Sequence, residues 1–357
     1  MADSLQIQRI AFIPGDGIGI EVTAEAIKAL EALIKSHKLP IDYNVFDWGA
    51  EKYLRDGVSL PEGSLEMFRR DYQAIFIGAL GDPRVPSNRH AADILLGIRF
   101  NLDLYVNQRP VKLLDARLCP LKNRAEREVN FVIFRENTEG LYVGMGGVFK
   151  KNSPDEVAVQ EDMNTRKGVE RILVYAFEYA RRHGLKKVCM SDKANALTFG
   201  HGLWQRAFAE VGQRYPEIES RHLYVDTLTL ELVRDPGQFE VIVTCNMFGD
   251  ILSDLGAALQ GGLGLAPSAN VHPGRVSMFE TVHGSAPNIA GRNLANPMAA
   301  VLTVGMMLDQ LGHAEAGART EEVVREAIRD EVTTPDLGGL GGRFGTREVG
   351  DWITARL

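Results

Sequence analysis

The chain has 357 residues, 45% of them apolar and 24% charged, with a formal net charge of −7. That length exceeds what one hydrophobic core usually organises, so two domains are expected, and the negative balance without long blocks of like charge argues against a nucleic-acid partner. No apolar run is long enough to span a membrane, and Cys119, Cys189 and Cys245 fit neither a disulfide framework nor zinc spacing, so a cytoplasmic protein with reduced thiols is expected.

Arg9 to Ile13 reads as a short strand, and the helix that follows runs to about Ser36. Between them Gly15, Gly17 and Gly19 place the third glycine one position early for the GxGxxG dinucleotide fingerprint, so a Rossmann motif is not present. A tight turn that admits a ligand and plain turn chemistry both remain open. Val45 to Trp48 is expected to be a strand, Pro61 to Arg70 a helix and Ala74 to Gly78 a buried strand, an alternation typical of a mostly parallel sheet. Residues 94–110 read as a helix leading into a strand, with Arg99 and Arg109 flanking the segment. A guanidinium fork binds a carboxylate bidentately, although lone arginines are mostly solvated surface.

Phe131 to Phe134 forms a strand that delivers Arg135, with Tyr142 shortly after it. Residues 143–165 suggest an extended excursion, an arm suited to pairing with another subunit, before a long helix from Arg166 to His183. Strands ending near Lys193 and Asp226 repeat the pattern of a polar residue at a strand end, and a helix is expected from Thr227 to Val233. Val241 to Thr244 then reads as a buried strand that turns into a helix beginning near Asp250. Asp250 and Asp254 stand one helical turn apart beside a strand's carboxyl end, where open α/β sheets place ligands. Such a like-charge pair costs roughly 0.2 to 0.5 kcal/mol, which a divalent cation would offset; the other reading is a solvated helix N-terminus favoured by its dipole. Glycines cluster at 261–264, and the Gly/Ser/Pro-rich segment Glu280 to Gly291 suits either phosphate and ribose binding or a structural Ω-loop. An apolar helix through Gln310, an amphipathic one near Thr320 to Asp330 and a Gly-rich loop at 338–345 complete the chain.

In this order the motifs resemble those of the β-decarboxylating dehydrogenases, which include isocitrate, 3-isopropylmalate, homoisocitrate and tartrate/D-malate dehydrogenases. The stretches that carry the resemblance most specifically are Asn246 to Asp254, similar to N-x-x-G-D-x-x-S-D, and His283-Gly284-Ser285-Ala286-Pro287. The resemblance implies an α/β, isopropylmalate-dehydrogenase-like fold of two domains with a shared mixed sheet. A discontinuous cofactor domain would cover 1–104 and 261–357, and a substrate, metal and dimerisation domain 105–260. It also implies a homodimer whose sites are completed across the interface.

By the same resemblance Arg99, Arg109 and Arg135 hold the malate carboxylates, Tyr142 is the acid, and Lys193 activates the substrate hydroxyl from the partner subunit. Asp226, also from the partner, joins Asp250 and Asp254 on Mg²⁺ or Mn²⁺, with a monovalent cation such as K⁺ as a further cofactor. Glu280, His283, Gly284, Ser285, Ala286, Asn288, Ile289 and Asn296 match positions of the cofactor loop. The phosphate partners of NADP-using relatives are absent at Asn288, Ile289, Pro335 and Gly339, which favours NAD. Asp93 would repel the third carboxylate of isocitrate. Leu95 and Leu96 match leucines that face the isopropyl group of 3-isopropylmalate, whereas the stretches around Trp48, Asn107 and Thr138 look more like the tartrate/D-malate branch. The expectation is therefore a 2-hydroxy diacid, tartrate or D-malate first and 3-isopropylmalate second; a non-catalytic regulatory subunit is the non-enzyme alternative.

Overall fold

The computed structural model describes residues 7–122, 124–125, 128–340 and 342–357. Two compact units divide the chain: Met1–Leu104, Lys112–Glu126 and Ala257–Leu357 form the first, and Tyr105–Val111 with Arg127–Gly256 the second. Residues 112–126 and 257–260 thus fall in the first unit and not, as the sequence-based division had them, in the second. One cause is Gln260, whose side chain accepts the Lys112 N–H at 2.7 Å and donates to the Leu265 carbonyl at 3.1 Å.

The elements run β1 (Gln8–Gly15), α1 (Ile18–His37), β2 (Ile41–Val45), α2 (Ala50–Asp56), α3 (Ser64–Asp71), β3 (Ala74–Ala79), α4 (Arg89–Asn101) and β4 (Val106–Lys112). Next come β5 (Asn130–Glu136), β6 (Gly146–Phe149), β7 (Val157–Gln160), α5 (Arg166–Arg182), β8 (Lys187–Asp192), α6 (Gly200–Gly212), β9 (Glu219–Tyr224) and α7 (Val225–Arg234). The rest are β10 (Val241–Thr244), α8 (Asn246–Gln260), β11 (Pro267–Val271), β12 (Ser277–Thr281), α9 (Met298–Gln310), α10 (Ala314–Arg329) and α11 (Thr346–Thr354).

In the first unit the strand order is β2-β1-β3-β12-β11, parallel except for the antiparallel β11/β12 pair, so the sheet is mixed. All six residues of β3 are buried, as expected of a strand covered on both faces. The glycines before α1 are required by close backbone approach: a Cβ on Gly15 would lie 1.9 Å from the Ala79 carbonyl oxygen, and one on Gly17 2.0 Å from that of Ser285. The turn is therefore tight because it meets the protein's own backbone. In the second unit the order is β4-β5-β10-β8-β9, with β10 parallel to β5 and β8, and β9 parallel to β8.

Several boundaries differ from expectation. The second strand ends at Val45 because Ile41–Val45 is the stretch in register with β1; Phe46 and Trp48 instead turn into an aromatic cluster with Phe68. α3 starts at Ser64, whose hydroxyl closes a turn onto the Pro61 carbonyl. α8 starts at Asn246 and not near Asp250, since the Gly249 N–H already bonds the Cys245 carbonyl at 2.9 Å. The β11/β12 hairpin was not anticipated: β11 interrupts its apolar pattern with the buried polar residues Ser268 and Asn270.

β6 and β7 pair as a two-stranded antiparallel hairpin in which every residue is exposed, Phe149 by 67%. A lone hairpin of this kind is marginal in water, and it lies within residues 143–165, the segment expected to be an arm. No helix among the described residues is long and apolar enough to cross a membrane. Burial pushes the Cys189 and Cys245 thiols up to about 12, which leaves both unreactive at neutral pH.

Candidate active site

In the second unit Arg135 is the penultimate residue of β5; its side chain is 2% exposed and lies against α8. Gly249 makes that possible, because a Cβ there would sit 2.5 Å from the arginine's own Cβ. The Arg135 Nε donates to Asn246 Oδ1 at 2.9 Å and its Nη1 donates to Asp250 Oδ1. Tyr142, just beyond the strand, donates its hydroxyl to Asp250 Oδ2 at 2.8 Å, and its ring lies 5.0 Å beneath the Arg135 guanidinium. Arg109 on β4 donates to Ser253 Oγ at 2.6 Å and stands 3.5 Å from Asp250. The structure thus gathers Arg109, Arg135, Tyr142, Asp250 and Asp254 into one cluster. Asp254 is raised above the ordinary carboxylate value, first by partial burial and then by Asp250, with Arg109 and Arg135 opposing.

Lys193 and Asp226 form a separate pair, Nζ to Oδ1 at 2.6 Å, and the lysine holds the aspartate's carboxyl below its ordinary value. Asp226 lies in the first turn of α7 and not at the end of a strand. Among the described residues no three acidic, histidine or cysteine side chains are close enough together to hold a metal. Asp250 and Asp254 are hard oxygen donors of the type Mg²⁺ and Mn²⁺ prefer, and the raised carboxyl of Asp254 is what a cation would relieve, so this pair fits such an ion while lacking a third protein ligand in its own chain.

The first unit carries the other half of the predicted set. Leu95 is half-buried on α4, one turn before Arg99, which is 4% exposed and donates to Glu280 Oε1 at 3.3 Å. Glu280, the penultimate residue of β12, also accepts from Asn270 at 2.8 Å. Beyond that strand, the Nε2 of His283 is buried without a partner, and burial holds the imidazole below its ordinary pKa, so a neutral ring is poised to bond a ligand. Ser285 anchors the loop by accepting the Ile18 N–H at 2.8 Å, Gly284 and Asn288 are exposed, and Ala286 adopts a φ of 38°, a strained value for a residue with a Cβ. Ile289 closes the turn with its N–H on the Ala286 carbonyl at 3.1 Å. Asn296 is occupied internally: its amide donates to Asp336 at 3.0 Å and its oxygen accepts the Met298 N–H at 2.9 Å. A half-buried neutral histidine with a buried Nε2 and an exposed, strained glycine-bearing loop fit a nucleotide cofactor.

Two residues important to the site were not singled out from sequence. Asp16, 4% exposed, accepts the N–H groups of Ala50 at 2.6 Å and Gly81 at 2.8 Å and contacts His90 at 2.7 Å, so it ties three loops of the first unit together. Its signal was its place between Gly15 and Gly17. Glu136, next to Arg135, is 1% exposed and accepts from the Thr138 N–H and hydroxyl and the Glu139 N–H. Nothing in an acidic residue at the end of a strand announces burial.

The isocitrate/isopropylmalate dehydrogenase family model matches residues 9–353. A 3-isopropylmalate dehydrogenase of Thermobifida fusca is 44% identical over 356 residues, covering 99% of both chains, and one of Corynebacterium urealyticum is 45% identical over 352 residues, covering 98% of this chain and 99% of its own. The crystal structure of isocitrate dehydrogenase from Methylococcus capsulatus superposes with a TM-score of 0.88 at 37% identity, covering 98% of this chain and 99% of its own. The α/β fold with a mixed sheet is the one expected, and the tartrate/D-malate preference gives way to relatives that bear the name 3-isopropylmalate dehydrogenase. The chain belongs to the isocitrate/isopropylmalate dehydrogenase family and is a nicotinamide-dependent decarboxylating dehydrogenase.

Proposed function

We propose that the protein oxidises and decarboxylates 3-isopropylmalate, a (2R)-malate with an alkyl group on carbon 3, using NAD and Mg²⁺ or Mn²⁺. The observation that carries this reading is the pairing of Leu95 with Arg99 on one face of α4: a half-buried apolar side chain one turn from a buried guanidinium. The arginine would hold a carboxylate and the leucine the alkyl group beside it. Asp93, which accepts the Ser59 hydroxyl at 2.9 Å, keeps negative charge on that helix and disfavours isocitrate's third carboxylate. The residues that resemble the tartrate/D-malate branch are engaged in holding the chain: Thr138 donates to Glu136, and Glu139 accepts the Thr165 N–H at 2.8 Å.

Arg109 and Arg135 would hold the other substrate carboxylate, Lys193 Nζ would take the hydroxyl proton, and Tyr142 Oη would deliver a proton to carbon 3 after loss of CO₂. When bound, the cation supplies charge stabilisation at the substrate oxygen and the nicotinamide accepts the hydride. We infer a homodimer in which Lys193 and Asp226 serve the partner's site. Apolar side chains stand exposed on the elements concerned: Phe199 by 94%, Leu230 by 54%, Val233 by 45% and Ile251 by 57%.

The test is kcat/KM for 3-isopropylmalate, D-malate, tartrate, isocitrate and homoisocitrate with NAD and Mg²⁺. 3-Isopropylmalate should lead, and Leu95→Ala should lower its kcat/KM by about 10- to 100-fold while costing D-malate less than about threefold. Preference for D-malate or tartrate with equal losses would move the assignment to that branch. No NADH from any diacid would instead support the regulatory-subunit reading.

A further inference from the structure

We propose that His201 is a positioning residue for Lys193, its Nδ1 accepting the lysine's backbone N–H and thereby setting where that side chain leaves β8. The inference rests on the reading of Lys193 as the group that takes the hydroxyl proton. The ladder between β8 and β9 ends at the Asp192–Tyr224 pair, so the next N–H, that of Lys193, has passed beyond its neighbouring strand. His201 Nδ1 takes it at 2.8 Å from the first turn of α6, and the imidazole is 1% exposed. A lysine placed only by a solvated turn could sample many positions; this one is tethered by its main chain.

An Nδ1 that accepts leaves the ring proton on Nε2. That side faces Asp162 Oδ2 at 3.6 Å, longer than a direct hydrogen bond but close enough to favour this tautomer. Asp162 is itself held by Asn164 Nδ2 at 2.9 Å, and Asn164 Oδ1 accepts from the indole of Trp204 at 2.8 Å, which returns to α6. Gly200 leaves room for this approach, since a Cβ there would meet Asn164 Nδ2 at 2.8 Å. The His201 ring packs edge-on against Phe248 at 5.3 Å, and Phe248 lies two residues before Asp250 on α8. One imidazole thus contacts the lysine's turn, faces Asp162 near the end of the 143–165 segment and packs on the helix of the acidic pair. A second pin, the Ala194 N–H on Asp192 Oδ1 at 2.9 Å, fixes the next amide.

The amide of asparagine can place its oxygen near where imidazole has Nδ1, whereas glutamine places its amide nearer Nε2. His201→Asn should therefore retain kcat within about threefold, while His201→Gln and His201→Leu should lose about 10- to 100-fold, the scale expected when a reacting group is displaced by about 1 Å. KM for substrate and for NAD should change by less than about threefold in all three, and the kcat–pH profile should shift in the Gln and Leu variants and return in the Asn variant. Circular dichroism and thermal melts establish that each variant folds; the Asn/Gln comparison between two polar replacements decides the matter even if Leu does not fold. Equal kcat in Asn and Gln variants, or a wild-type pH profile in Gln, overturns the proposal. Lys193→Ala run alongside separates the two readings: an active Lys193→Ala removes the lysine from the mechanism, whereas an inactive one beside an unimpaired His201→Gln defeats the positioning role alone.

Discussion

Asp250→Asn and Asp254→Asn should have opposite consequences for stability and the same consequence for cation binding. Asp250 is the acidic partner of Arg135, a guanidinium only 2% exposed, and removing one member of a buried pair costs about 3 to 5 kcal/mol. Asp250 itself is 42% exposed on its side chain, so water screens part of the interaction and the expected loss falls to about 2 to 3 kcal/mol. Asparagine can still accept from Arg135 through its one oxygen, but its nitrogen must then donate to the Tyr142 hydroxyl, so the change is the charge and the direction of one hydrogen bond. Among the described residues Asp254 makes no such pair. Its carboxyl is raised, so its ionised form opposes folding once the pH passes the folded pKa, and its contribution is favourable only at lower pH. Asp254→Asn, on an exposed side chain, should leave stability within about 0.5 kcal/mol of wild type at neutral pH, with any change in the stabilising direction. Urea unfolding without divalent cation reads both values. With Mn²⁺ at 100 times its Kd the wild type should gain about 2.7 kcal/mol, and neither variant should gain appreciably. Unchanged stability in Asp250→Asn, or undiminished Mn²⁺ protection in both variants, would refute the reasoning.

Burial pushes the Glu136 carboxyl from its ordinary 4.5 up to about 7, so its protonated form favours the fold, fully below pH 4.5 and decreasingly as pH rises through 7. That difference corresponds to about 3 kcal/mol, so Glu136→Gln should flatten the fall in unfolding free energy between pH 5 and 8 by that order, and an unaltered slope in urea titrations would assign it to other groups. Phe199→Glu should put a charge into the surface inferred to meet a second copy. Light scattering should then find a monomer with native circular dichroism and at least 100-fold lower activity; a fully active monomer would show that each chain completes its own site.

What could be read from residues alone follows from how local each cause is. Strand-then-polar patterns exposed Arg135, Lys193 and Asp250 because each follows an apolar run that forms the core of a buried strand, 131–134 in β5, 188–190 in β8 and 241–243 in β10. The start of α8 was misplaced by a turn because Gly249 looks like a breaker in sequence, while in the fold it is the space Arg135 occupies. The β11/β12 hairpin was hidden because Asn270 is satisfied by Glu280, a partner ten residues away that no periodicity reveals. Glu136, Asp16 and His201 share that character: each is buried and polar, and each has its meaning only through chain brought near by folding.

The same distinction explains why reaction type was legible before substrate. Arg135 bonds Asn246 and Asp250; Asp250 also receives Tyr142; Arg109 bonds Ser253, whose hydroxyl donates to the Asp250 carbonyl at 2.8 Å. A change at any of these leaves a buried donor or charge unanswered, so the residues to which the proposed function gives the chemistry also hold the fold. Leu95 carries no such obligation. It packs partly buried against an apolar cluster, and another apolar side chain could replace it at small cost to folding. Under the proposed function substrate choice rests on a position the fold leaves free to vary, beside an arginine it does not, and a change of preference within this scaffold should come from α4 before it comes from the Arg135–Asp250 cluster.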